Sequence, residues 1–264
     1  MTRCLGVGVK LVAVLAATMA ITAAPAAANH SWGGYHWART ASPFPVNLGD
    51  DVSSGWDSYL RAASADWSLD RAPGAPSTTI PNPLNSTVVT GSTTGSKCRP
   101  RSGRVEVCNA AYGNNGWLGL ASVWASGTHI TQATVKLNDT YYNTPTYNTP
   151  AWRQSVTCQE IGHAFGLDHQ SEDRNVNMGT CMDYYGVPNL RPNPHDYDQL
   201  ALIYTHRDST TTIGASAASA GARRGLKRAK DDSVWVEDLG GGKKRYVWVV
   251  WTDHVLPHGA PAED

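Results

Sequence analysis

Net charge is the first thing this sequence lacks. Its 264 residues carry 22 basic and 22 acidic side chains, a formal charge of +0. A balance of this kind gives no electrostatic footprint for binding nucleic acid or heparin. Charged residues make up only 17% of the chain, and 25 glycines with 15 prolines point to a loop-rich globular protein rather than a coiled coil or a disordered chain. Phenylalanine is nearly absent, two residues against 10 tryptophans and 11 tyrosines. Tyr and Trp carry a polar tip on an apolar body, so they suit clefts and wet surfaces as well as cores. No C-x-x-C pair occurs, which disfavours a four-cysteine metal site. Beyond the N-terminus no apolar run reaches the ~20 residues of a membrane span.

What is present begins with an N-terminal signal. Arg3 and Lys10 precede an apolar run over 11–24, and Ala26-Ala27-Ala28 offers a small-residue cleavage site. The order basic, apolar, A-x-A is that of a secretory signal peptide over 1–28. A secreted, extracellular protein is the expectation, and a monomer. Cleavage removes Cys4. Cys98, Cys108, Cys158 and Cys181 then remain, an even set in an oxidising compartment, which reads as two disulfides among three possible pairings.

The pattern along the chain is mixed. Trp56, Tyr59, Leu60, Ala63 and Trp67 share one helical face, predicting a helix over 54–68 capped by Ser53 or Ser54. Residues 70–85 hold four prolines and read as loop. Strand-like alternation marks 87–93, 105–110, 117–124 and 130–137. A helix is expected over 151–165, stopped by Gly166, and another over 195–206. Residues 208–230 read as a linker; it is rich in Ser, Thr, Ala and Gly, then basic, with five Lys or Arg among 223–230. Residues 231–264 read as a β-hairpin extension turning at Gly240-Gly241-Gly242. An isolated hairpin is marginal in water, so this one is expected to dock on the main domain at 29–207.

The chemistry concentrates in 158–169, C-Q-E-I-G-H-A-F-G-L-D-H. Gln159 and His163 lie four apart on one helical face. Gly166 can take a positive φ and turn the chain so that His169 returns to the same point. Convergent side chains beside the carboxylate of Glu160 fit a zinc site whose bound water a base can deprotonate.

These residues resemble the metzincin signature H-E-x-x-H-x-x-G-x-x-H, with Gln159 in place of the first histidine. The resemblance implies an α+β zincin fold: a twisted mixed sheet, an active-site helix, a Met-turn and a C-terminal helix. It assigns Glu160 as general base and His163 and His169 as zinc ligands. Thr180-Cys181-Met182-Asp183-Tyr184 is similar to the Met-turn, with Met182 beneath the ligands and Tyr184 reaching the metal or an oxyanion, as in astacins and serralysins. The stretches 116–124 and 128–142 resemble the matrixin order of edge strand, next strand, helix. Residues 194–204 resemble the C-terminal matrixin helix. The implied edge strand makes Leu118, Gly119, Leu120, Ala121 and Ser122 the substrate-binding segment, pairing with a peptide by strand addition. In this fold the Met-turn lies against the active-site helix, which implies Cys158–Cys181 and, with it, Cys98–Cys108.

The implied activity is that of a zinc endopeptidase on peptide or protein substrates. Gln159 leaves three arrangements open: weak ligation with Tyr184 or water completing the shell, substitution by His129 or Asp183, or a metal-poor inactive site. Two other classes stand beside it, a degenerate homologue that holds peptides, and a wall- or glycan-binding protein using exposed Trp248 and Trp251. No cysteine and no long segment lies between Asn29 and the first strand, so a matrixin-style latent form is not expected.

Overall fold

The computed structural model describes residues 1, 30–68, 83–184, 186–215, 225–230, 232–252 and 259–262. The signal segment lies outside them, as do most of the proline-rich loop and part of the linker.

The architecture is α+β: one mixed, nine-stranded sheet with few helices. β1 (His36–Trp37) and β2 (Phe44–Asp51) lead into α1 (Asp57–Trp67). Then come β3 (Leu84–Thr90), β4 (Val105–Ala110), β5 (Trp117–Ser126) and β6 (His129–Asn138). A short α2 (Asp139–Tyr142) precedes α3 (Pro150–Ala164), and α4 (Pro194–Ile203) follows after a long irregular stretch. The C-terminal part adds β7 (Lys227–Arg228), β8 (Val234–Gly240) and β9 (Lys243–Trp251).

Strand order is β3-β2-β4-β6-β5-β9-β8-β7, with β1 pairing β6 off this path. The β3-β2-β4-β6 side is parallel, as crossovers through α1 and loops require; from β6 through β5 to β9, β8 and β7 the pairing is antiparallel. α1 and α3 pack on one face, closing a core of Trp37, Leu48, Leu60, Trp67, Val135, Val156, Ile161 and Phe165. The other face of β5 and β9 buries Trp117, Leu120, Val247 and Val249 with Trp235 and Trp251.

Several sequence expectations shift. α1 begins at Asp57, and neither Ser53 nor Ser54 caps it: its N-cap is Trp56, without a side-chain cap bond. β3 begins three residues earlier than its alternation indicates because Leu84 and Ser86 face the core beside α1. The start of the expected linker is part of the fold, since the Thr212 amide bonds the Ala38 carbonyl and the Gly214 amide that of Gly103. Two further expectations fail. Trp248 and Trp251 are buried rather than exposed, because the hairpin is stitched into the main sheet. For the same reason Leu118 to Ser122 do not form a free edge: β9 pairs antiparallel with β5 from Trp117 to Ser126. The apolar alternation of β9 matches that of β5, and its backbone satisfies donors and acceptors that an edge leaves unpaired.

Candidate active site

α3 carries the site, and its ends are well specified. Thr149 caps it, its side chain accepting the Trp152 amide, and Pro150 sits in the first turn. At the other end Gly166 has φ +106°, and the Leu167 amide returns to the Gly162 carbonyl, closing a Schellman-type stop. Indoles donate to the helix carbonyls: at the C-terminal end Trp32 Nε1 to His163 O (3.3 Å) and Trp37 Nε1 to Ala164 O (2.9 Å), and further back Trp67 Nε1 to Cys158 O (3.0 Å). From Ser155 to Ala164 the helix is buried on all sides.

Two glycines let neighbours approach it. A Cβ on Gly119 of β5 would lie 2.6 Å from Glu160 Oε1, so only glycine admits that carboxylate against the sheet. A Cβ on Gly162 would lie 2.7 Å from Trp67 Cζ2 and would collide with Met182 Sδ. Met182, in the turn over 180–184, therefore packs directly against the helix at Gly162. That turn is held by Cys158–Cys181, with Cα atoms 6.0 Å apart, by the Met182 amide on Thr180 Oγ1 (2.9 Å), and by the Tyr184 amide on Ser171 O (3.0 Å). Cys98 pairs with Cys108. Both disulfides are those the resemblance implies.

His163 and His169 come together, ring centroids 4.7 Å apart and nearly perpendicular. His163 Nδ1 donates to the Leu167 carbonyl at 2.8 Å, which leaves Nε2 as the lone-pair nitrogen. That Nε2 is buried with no hydrogen-bond partner among the described residues, and so is the Gln159 side-chain nitrogen one turn back. The Gln159 amide can be rotated to present either its nitrogen or its oxygen. Burial, and then His169, pushes the His163 pKa well below the ordinary imidazole value, keeping the ring neutral, the form that ligates a metal. Two imidazoles and an amide oxygen are a donor set of zinc type, weaker than three imidazoles. The proposed substitutes for the missing histidine are engaged elsewhere: His129 contacts Asp208, and Asp183 accepts the Met178 amide at 2.8 Å.

Glu160 is fully buried, and desolvation raises its pKa well above the ordinary carboxyl value. The backbone amides of Ala121 in β5 and Val250 in β9 face the carboxylate and partly offset that shift, though neither completes a bond of good geometry.

The unforeseen occupant of the site is β9. Its Trp248 lies stacked on His163, 5.2 Å between centroids and 16° between planes, fully buried, with its indole N–H unpartnered among the described residues. The Tyr184 hydroxyl donates to the Val249 carbonyl, and the Tyr184 ring stands edge-on to His169 at 4.7 Å. Beyond Val250 a small cleft opens, lined by Trp152, Val156, Gln159, Tyr184 and Asn189. Sequence reasoning saw the hairpin but not its destination, because strand alternation states which face is apolar and not which strand it will join.

No protein-family model and no curated protein sequence matches this chain.

Proposed function

We propose that this chain is a secreted, zinc-dependent endopeptidase of metzincin type, and that its own β9 lies in the cleft where a substrate strand would bind. One observation carries the reading: a single peptide unit, Val249–Val250, is addressed from both sides. Its carbonyl oxygen accepts from Tyr184, and its amide nitrogen faces Glu160.

In a substrate bound the same way, His163, His169 and Gln159 would hold the metal, and bound zinc supplies Lewis acidity toward the carbonyl and toward water. Glu160 takes a proton from the attacking water and passes it to the amide nitrogen that leaves. Tyr184 donates to the carbonyl oxygen as charge develops on it. β5 pairs with the backbone on one side, so affinity comes from main-chain hydrogen bonds and makes little demand on sequence. With β9 in place Glu160 is dry and held toward its neutral form, which is unfit for a base. The described arrangement is thus the closed one.

Gln159 supports a second reading, a degenerate homologue that retains the cleft for peptide binding. The glycan-binding alternative loses its basis with the burial of Trp248 and Trp251.

The test places a site-specific protease sequence within 216–224 of the full chain and adds Trp248→Ala to weaken the docked strand. After nicking and zinc addition, hydrolysis of an unstructured protein should rise at least ~10-fold over the intact chain, a gain of about 1.4 kcal/mol in transition-state access. The same background with Glu160→Ala should show none. Peptide binding without turnover in the nicked protein would instead establish the degenerate reading.

A further inference from the structure

A second cluster of metal-ligating side chains lies apart from α3, and none of the peptidase chemistry uses it. His36 stands in β1, and its backbone partner across the parallel pairing is His129 at the start of β6. The segment after α4 brings His206 and Asp208 to the same place. It is held alongside β1 by the Asp208 amide on the Arg39 carbonyl (2.8 Å) and the Arg39 amide on Asp208 Oδ2 (2.9 Å). With Oδ2 so engaged, Oδ1 faces three imidazoles. It lies 3.4 Å from His36 Nε2, 3.2 Å from His129 Nε2 and 3.6 Å from His206 Nε2. His36 Nε2 and His206 Nε2 are themselves 3.2 Å apart.

The Gly34 carbonyl, 2.8 Å from His36 Nδ1, fixes that ring with Nε2 toward Asp208 Oδ1. The donor atoms that contact one another here are of the type that shares a cation. In a tetrahedral zinc site, with Zn–N and Zn–O near ~2.0–2.2 Å, neighbouring donor atoms stand ~3.3–3.5 Å apart. Asp208 Oδ1 stands 3.4 Å from His36 Nε2 and 3.2 Å from His129 Nε2, and the ligand atoms of these three residues all lie within 4.8 Å of one another. A carbonyl holding the remote nitrogen of a histidine is also the usual support for a ligating imidazole.

We propose that His36, His129 and Asp208 form a divalent metal site of zinc class, with His206 at its rim, apart from the residues of α3. Two imidazoles and a carboxylate leave the remaining coordination to His206 or to water. The ion ties β1 and β6 to the chain leaving α4, the point from which the C-terminal extension departs. His36 is buried and the His206 side chain is about half exposed (53%), so the ion enters from the His206 side.

The test is cobalt(II) and zinc binding by the full chain carrying His163→Ala and His169→Ala, which removes the α3 ligands. One equivalent of cobalt should bind, with the intense visible absorption of tetrahedral coordination, and zinc should raise the melting temperature. Adding His129→Ala and His206→Asn, both at partly exposed positions, should abolish binding and the thermal gain, with the metal-free melting temperature unchanged. Failure of the His163/His169 variant to bind cobalt would overturn the proposal, as would binding that survives the His129 and His206 changes. Neither outcome depends on peptidase activity, so this site and the α3 reading stand or fall separately.

Discussion

Gln159 and Glu160 are neighbours in sequence but answer to different physics. An amide oxygen is a poorer zinc donor than imidazole, so Gln159→His should raise zinc retention at α3 and, once β9 is released, turnover as well. Metal content after gel filtration checks the first part. Glu160 is not a ligand, so Glu160→Ala should keep the metal and lower turnover by at least ~100-fold, the usual size of a general-base contribution. Away from the site, Asp51 is half-buried near Glu106. Burial first, and then the shared proton with that carboxyl, pushes its pKa up to about 6. A folded value above the unfolded one stabilises the fold at low pH and loses that contribution as pH rises through about 6. Asp51→Asn stays neutral throughout. Its melting temperature should exceed the wild-type value at about pH 7 and match it near pH 4.

At the scale of elements, α3 and the turn over 180–184 behave as one unit. The Cys158–Cys181 bridge spans 23 residues of sequence, a loop that includes His163 and His169. Replacing both cysteines by alanine should lower stability by about 3 kcal/mol through the entropy regained by the unfolded chain. It should also loosen Met182 beneath Gly162. Guanidinium unfolding measures the first effect, and zinc retention the second. The helix itself was legible in part: Gly166 marks its C-terminal stop, whereas the Thr149 cap and Pro150 that set its start show in the structure, which moves the expected bounds by one residue at each end. The turn of His169 toward His163 was legible too, since Gly166 takes the positive φ that the spacing calls for. β5 was read correctly as a strand and wrongly as an edge. Its alternation is equally suited to a peptide, a neighbouring molecule or β9, and nothing local distinguishes them.

At the scale of the whole molecule, the C-terminal hairpin extends the sheet rather than hanging from it. Trp248 joins the two halves: it stacks on His163 and packs against Trp32, 4.5 Å between centroids. Trp248→Ala in the intact chain should cost about 3–5 kcal/mol, as for other large buried aromatics. It should also speed hydrogen exchange at the amides of β5 and β9 more than at those of β2 and β4. Equal acceleration across the sheet would show that Trp248 serves the core in general rather than the seam. Lys230, which pairs with Glu172 and lies 3.6 Å from Asp168, ties the base of the hairpin to the loop bearing His169. No helix among the described residues is long and apolar enough to cross a membrane, and the two disulfides suit an oxidising compartment.

Short-range pattern reached only part of this protein. It placed a helix over 151–165 with Gly166 as its stop, brought His169 back toward His163 through that glycine, and separated helical from strand-like stretches. Tertiary structure alone decided which strand covers β5, because backbone hydrogen-bonding groups are identical in every residue and pairing is chosen by the packing of whole faces. It alone decided that His36, His129, His206 and Asp208 meet. These residues lie up to 172 positions apart, each is an ordinary polar residue in its own segment, and only the parallel pairing of β1 with β6 and the return of the chain after α4 bring them together.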